Sequence, residues 1–591
     1  MKNWRKVLAL VLVLAMAFAM SVTASANEVV NDEADISSTP RNETFYIGGQ
    51  QWGKPNDFNP YSSNSNNYLV AQNDSARVVC YETLYMYNML DNTCTPLLAD
   101  GDYVWNEDQT EVTVKINQDA HWSDGTPVTA NDVKYTFDTH VKYQSATGID
   151  MALYISEVEA TDDYTVVFKA NKDNYNPLKV IEYLPKLYIT QAAYVKTVEE
   201  ATSEDSEAFK TAEMYDAVTS GPYTWTLGNE EKVIVTRDDN YWGQAESMWG
   251  QLPVPKYIVH NIFSGNDAVA VAFENGEIDV NQQFVANIWT YWEDKGLDIA
   301  TYIDEAPYFV DASMPTLWFN TTKEGLDNAN VRVAIAMAID YDQIISTAMS
   351  GYSYTFADVP HSLFNPTDAE QAMYAACDAD GELSALNYAG KDIEGAKALL
   401  EETGIDFSAY EWSVECPTGW TDWNASCEIV AAAAKEIGLN VTTYFPEAAV
   451  YNEDIQTGNF DMAMATMTGA AIDGTWLRAY QTCYGFGGEI PERITYAYSR
   501  WYNERVDEIL ATIPVTTDEA ELTALYKELN VIYLTECPSV ALMYRPVYFH
   551  ETNESVWSGF PEQGDGLNIP PTVCTDGYGI AALYNIYLVE E

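Results

Sequence analysis

Hydrophobic and polar positions change period repeatedly along this chain. Glu111 to Asn117 alternates Glu-Val-Thr-Val-Lys-Ile-Asn, which predicts a strand, and Tyr164–Lys169 and Lys232–Thr236 are further β-rich runs. Thr129-Ala-Asn-Asp132 is a capping-box-like start, followed by Val133, Phe137 and Val141 at helical spacing. Ser264-Gly-Asn-Asp267 opens another helix that Gly276 can end, with strand-like Ile278-Asp-Val280 directly after it. Asp392 can cap a helix through Ala396, Leu399 and Leu400 that Gly404 ends. Glu411–Cys416 reads as a strand, Ala425–Ile437 as a helix closed by Gly438, and Leu439–Tyr444 as the next strand. Strands and helices in alternation predict an α/β chain with helix–strand crossovers.

The N-terminus follows a different rule. Lys2, Arg5 and Lys6 precede an apolar run from Val7 to Met20, and Ala24-Ser25-Ala26 then offers small residues at the −3 and −1 positions of a cleavage site. This is the three-part pattern of a secretory signal peptide, predicted over 1–26, with a polar, flexible leader over 27–40. No Cys precedes Cys80, so a lipid-modified cysteine at the mature N-terminus is not expected. The reading is a secreted protein, extracellular or periplasmic, with no direct membrane insertion.

Charge narrows the partners. The chain has 30 Lys and Arg against 89 Asp and Glu, a net charge of −59, and loss of the three signal-peptide cations would take it to −62. Such a surface repels nucleic acid and anionic lipid. With 47% hydrophobic residues, 16 Trp and 42 Tyr, the chain has the composition of a folded protein, and 591 residues imply several lobes. Eight Cys are present; Cys80–Cys94 and Cys416–Cys427 are the closest pairs, and no bridge is assigned.

Local signatures of catalysis are missing. The five His (His121, His140, His260, His361 and His550) show no ligand spacing, and neither a G-x-S-x-G elbow nor a phosphate-binding loop occurs. Asp378-Ala-Asp-Gly381 resembles part of a calcium loop but lacks its first and last carboxylates. No metal and no cofactor are expected. A pair of carboxylates for glycoside hydrolysis needs no local motif, so a secreted glycoside hydrolase stays open on composition alone.

Several blocks point to a family. Tyr81-Glu-Thr-Leu-Tyr85 and Trp122-Ser-Asp-Gly-Thr-Pro-Val-Thr-Ala-Asn-Asp-Val-Lys-Tyr-Thr-Phe137 are followed, in order, by Ser220-Gly-Pro-Tyr223, Asn240-Tyr-Trp-Gly243, Asn275-Gly-Glu-Ile-Asp279, Leu317-Trp-Phe-Asn320, Val331-Arg-Val-Ala-Ile-Ala-Met-Ala-Ile-Asp340 and Gly458-Asn-Phe-Asp461. Together they resemble the family 5 extracellular solute-binding proteins of ABC importers, the peptide- and nickel-binding group. Arg41–Gly49, Trp52, Asn59-Pro60 and Glu415-Cys-Pro-Thr-Gly-Trp-Thr-Asp-Trp423 resemble the branch that binds cello- and manno-oligosaccharides.

The resemblance implies a two-lobe periplasmic-binding-protein-like α/β fold with a discontinuous first lobe, a hinge cleft and an extra inserted domain. The first lobe would take 41–82, 219–318 and 544–591, the inserted domain 83–218 and the second lobe 319–543. The chain would cross between lobes near Leu317–Asn320 and Leu542–Tyr544. It implies a binder and not an enzyme, a monomer that passes its ligand to permease subunits. The ligand is an oligosaccharide or an oligopeptide. Peptide binders of the family carry an Asp for the ligand's ammonium; counted from Phe460, that place holds Ala470, with Asp473 three positions later. This favours a neutral, β-linked oligosaccharide. Indole rings suit the C–H faces of sugars, and amides suit the hydroxyl rims. The candidate ligand contacts are Trp52, Asn59, Trp318, Asn320, Trp420, Trp423, Trp476 and Tyr484.

Overall fold

The structure is a computed structural model that describes residues 39–49, 51, 53–63, 79–311, 313–388, 390–468, 474–483, 490–546, 549–571 and 577–589. The signal peptide, nearly all of the leader, Trp52, Ala470, Asp473, Tyr484 and Cys574 lie outside the described residues. Residues up to Thr44 form one unit and Phe45–Glu591 a second. In the first, Arg41–Glu43 make a 3-10 turn and the Thr44 hydroxyl donates to the Pro40 carbonyl (2.7 Å). Among the described residues no helix is long and apolar enough to cross a membrane.

Two large mixed sheets organise the second unit. One has seven strands, in the order Ile299–Thr301, Glu551–Asn553, Val280–Asn281, Thr44–Gly48, Tyr257–Asn261, Lys232–Arg237 and Tyr223–Gly228. The other has five, in the order Val441–Tyr444, Trp412–Glu415, Met462–Thr468, Ser313–Phe319 and Ser539–Ala541. A four-stranded antiparallel sheet (Val104–Trp105, Glu111–Lys115, Thr165–Ala170, Ile155–Asp162) lies inside the stretch read as the inserted domain. Its apolar face, including Val112, Val114, Val166 and Phe168, shares one core with Phe45, Val233 and Val235 of the seven-stranded sheet.

The chain passes between the two large sheets twice, and the first passage lies earlier than the sequence suggests. Leu317–Asn320 is not a crossing: Leu317, Trp318 and Phe319 are paired with Met464, Ala463 and Met462 in the five-stranded sheet. The change of sheet falls between Thr301 and Ser313; the second falls between Ala541 and Glu551. The passages are bonded together, since the Ser313 and Arg545 backbones exchange N–H···O bonds of 2.8 and 3.0 Å.

The predicted elements form where the local signals put them. Thr129 and Asp132 close a reciprocal capping box on helix Ala130–Tyr143. Asp392 accepts from the Gly395 amide at the start of Ile393–Thr403, and Gly404 ends that helix with φ +67°. One helix differs: it runs Thr421–Glu436, four residues longer at its start than Ala425 suggested. The cause is in the pattern, because Trp423, Cys427, Val430, Ala431 and Ala434 form one buried stripe at helical spacing.

Most family-like blocks prove to be braces. Glu82 of the first block is fully buried and accepts from the Tyr241 hydroxyl (2.6 Å) and the Trp242 indole N–H (2.9 Å) of the Asn240–Gly243 block. Gly221 lies so close to Cys80 that a Cβ would meet its carbonyl oxygen at 2.4 Å. The Asp279 carboxylate accepts from the Tyr46 amide (2.8 Å), and buried Arg332 donates to the Leu326, Glu536 and Cys537 carbonyls. Such residues join segments far apart in sequence, so they mark the fold and not a ligand.

Cys94, Cys377, Cys416, Cys427, Cys483 and Cys537 are free thiols. Asp378 accepts from the Leu383 and Ser384 amides, and Asp380 is paired with Lys527 (2.5 Å), so both carboxylates serve a helix-opening turn. Among the described residues no group of three or more His, Cys, Asp or Glu is placed to hold a metal ion.

Candidate functional site

Parallel strands Trp412–Glu415 and Val441–Tyr444 flank helix Thr421–Glu436, and the turn Cys416–Trp420 leaves the C-terminal end of the first of them. This is the edge where open α/β layers present ligand-binding loops. Gly419 adopts φ +79°, a left-handed turn that Gly makes without strain. Asn424 ties the turn to its helix by donating to the Pro417 carbonyl (2.9 Å) and the Cys416 sulfur (3.0 Å).

Two indoles meet there. Trp420 is the N-cap residue and is half-buried; Trp423, in the first turn, is almost fully buried. Their rings pack edge to face with centroids 4.9 Å apart and planes at 77°. The Trp423 N–H is buried and has no hydrogen-bond partner.

The other sequence candidates divide sharply. Trp318 is buried, donates to the Ala465 carbonyl (3.2 Å) and packs edge-on against Tyr498. Asn320 is fully buried; its amide donates to the Gly458 and Phe460 carbonyls (3.0 and 2.9 Å) and accepts from Thr322. Asn59 is equally buried, donating to Phe209 and Ala212 and accepting from the Tyr61 amide. Trp476 donates to the Leu510 carbonyl (2.8 Å) and stacks on Tyr480. These four side chains hold the fold together; among the described candidates, only Trp420 and Trp423 are brought side by side.

The sequence reading missed a set of buried polar groups. Asp311, on the first passage between the sheets, is buried with neither carboxyl oxygen hydrogen-bonded, and burial holds its pKa well above the usual carboxylate range. Gln283, beside Gly49, has a buried side-chain N–H₂ without a partner. Asn281 donates to one oxygen of buried Glu551, whose other oxygen is unpartnered. Glu415, at the end of its strand, is buried and pushed up to about 8 by desolvation, with Asp454 and Asp461 adding to the shift. No periodicity or motif announces Asp311, Gln283 or Glu551; Glu415 opens the Glu415–Trp423 block, but nothing local marks its burial.

The comparisons with known proteins agree with this architecture. Residues 93–486 match the model of the bacterial extracellular solute-binding proteins, family 5. The chain belongs to that family. The periplasmic oligopeptide-binding protein OppA of Escherichia coli is 24% identical over 471 residues, 74% of this chain and 76% of its own length. The mannohexaose-bound periplasmic oligopeptide-binding protein of Thermotoga maritima superposes with a TM-score of 0.81 at 23% identity, covering 94% of this chain and 100% of that one. The dipeptide-binding protein DppA of Helicobacter pylori, in complex with the peptide STSA, gives 0.70 at 19% identity, covering 93% and 98%. The fold is that of periplasmic binding proteins. A family 5 protein is the extracellular or periplasmic substrate-binding component of an ABC importer, and it is not an enzyme.

Proposed function

We propose that this chain captures a neutral β-linked oligosaccharide, of cello- or manno-oligosaccharide type, between its two lobes and delivers it unaltered to the permease. The observation that carries the reading is the Trp420–Trp423 pair on one turn, with a half-buried ring and an unpartnered indole N–H. The ring offers a stacking face to a sugar's C–H surface, and the N–H offers a donor to its oxygens. The buried, high-pKa carboxyls of Asp311 and Glu415 fit a neutral ligand, because a protonated acid can donate to a hydroxyl. The mannohexaose complex of the Thermotoga protein supports the same direction.

The protein acts as a monomer that closes on its ligand, with the paired passages at Ser313 and Arg545 as the pivot. Trp52 and Tyr484 join Trp420 and Trp423 as proposed contacts by the sequence resemblance. An oligopeptide is the second reading. The oligopeptide-binding relatives favour it.

A thermal-shift panel of β-linked oligosaccharides and oligopeptides on the mature chain tests the choice. Ligand at a hundred times its dissociation constant adds about 2.7 kcal/mol of stability. The expected result is a rise with cello- or manno-oligosaccharides and none with peptides; the reverse pattern replaces the sugar reading with the peptide one.

A further inference from the structure

The Trp420 turn is held from the other side by a residue outside the five-stranded sheet. Asn266 opens helix Asn266–Glu274, which leads into strand Val280–Asn281 of the seven-stranded sheet. Its backbone N–H donates to the Gly419 carbonyl (3.2 Å). Its side-chain amide donates to the Thr421 hydroxyl (3.1 Å) and to the Asp422 carboxylate (3.3 Å). The other oxygen of Asp422 accepts from the Arg545 guanidinium (2.9 Å), and Arg545 lies on the second passage, bonded to Ser313 of the first. The backbones touch here: a Cβ on Gly265 would meet the Gly419 oxygen at 3.0 Å, and one on Gly419 would meet the Ser264 oxygen at 3.0 Å. Asn266 and Asp422 are both buried.

We infer that Asn266 is a positioning residue that fastens the Trp420 turn to the first lobe, so that seating a ligand on Trp420 and closing the lobes are one event. The inference rests on the ligand reading of Trp420. Its physical basis is independent of the ligand's chemistry. A turn bonded only to its own sheet could take up ligand with the lobes apart. A turn whose carbonyl, hydroxyl and carboxylate are also gripped by Asn266 has its best geometry only when the seven-stranded side is in place. The ligand's contacts with the turn then bias the closed state by whatever the Asn266 bonds contribute. The two glycines belong to the same device, because any side chain at Gly265 or Gly419 would hold the surfaces apart.

The test uses the full mature chain carrying Asn266→Ala, which keeps the backbone bond and loses the two side-chain bonds, and Asn266→Asp, which sets a carboxylate against Asp422. Small-angle scattering on the ligand-free protein is expected to show a larger radius of gyration for both variants. Stopped-flow binding of cellohexaose, the probe used, is expected to show dissociation about tenfold faster for Asn266→Ala with association changed less than twofold. A merely structural residue would lower the unfolding temperature without this split between the two rates. Unchanged scattering profiles in both variants overturn the inference, as do unchanged dissociation rates. Failure of the sugar reading has a separate signature: cellohexaose leaves the wild type without a response, while the ligand-free variants still differ from it in scattering.

Discussion

Replacing Trp420 by Ala is expected to weaken cello- or manno-oligosaccharide binding by about ten- to a hundredfold, on the order of 1–3 kcal/mol, while leaving the fold intact. The ring is half-buried and caps a helix without a side-chain capping bond, so its loss removes a stacking face and leaves helix Thr421–Glu436 standing. Removing the core indoles has the opposite signature. Trp476→Ala deletes a buried ring bonded to Leu510 and stacked on Tyr480, and should cost about 3–5 kcal/mol of stability. Titration calorimetry paired with thermal unfolding separates the two. Undiminished affinity in the Trp420 variant removes that ring from the site.

The second large effect is a stability maximum on the acid side of neutrality. Glu82 and Glu415 are pushed up to about 8 by burial, and Asp311 and Glu551 are raised by the same cause. In the unfolded chain these acids ionise near their ordinary values, so the folded state holds extra protons above about pH 4.5. Their contribution is complete below the unfolded pKa and is lost as pH rises through the folded one, each group giving roughly 1 kcal/mol per pH unit. Buried His140, His361 and His550 have pKa values lowered to about 3 by desolvation. Their contribution is present above the unfolded value near 6.5 and is lost as pH falls toward 3. Glu182 is also buried; although desolvation opposes it, Lys179 and Lys186 hold its pKa at about 2, so its contribution is also lost in acid. Melting temperatures should therefore rise from pH 8.5 to about 6 and fall again in stronger acid. Glu82→Gln mimics the protonated acid, so it should be near neutral at about pH 4 and increasingly stabilising toward pH 8.5. A parallel offset at both pH values would contradict this role for Glu82.

Local rules made much of the fold legible. Thr129 with Asp132, Asp392 with Gly404, and the stripe from Trp423 to Ala434 carry their helices in a few consecutive residues. The family itself was readable from ordered blocks. Where the passages between sheets fall was not, because Leu317–Phe319 reads the same whether it joins lobes or pairs with Met462–Met464. The site was legible in part for a similar reason. Asn59 and Asn320 carry the donors and acceptors that suit a sugar, but the same groups suit backbone carbonyls, and here their partners lie 138–153 residues away. Burial and long-range pairing decide between the two uses, and neither is encoded locally. Asp311 and Gln283 stand at the other extreme: Asp311 is a lone polar residue, Gln283 ends the run Asn281-Gln282-Gln283, and only the fold buries polar atoms of both without a partner. The Trp420–Trp423 pair was readable because both its members and its position after a strand fall within one short segment.

Native mass spectrometry of the mature chain in an equimolar mixture of cellohexaose, mannohexaose and oligopeptides of similar mass decides whether the protein captures an intact neutral oligosaccharide. The expected result is a complex of one chain with one unaltered hexaose and no shortened sugars after prolonged incubation. A complex with peptide alone, or the appearance of sugar fragments, would contradict it.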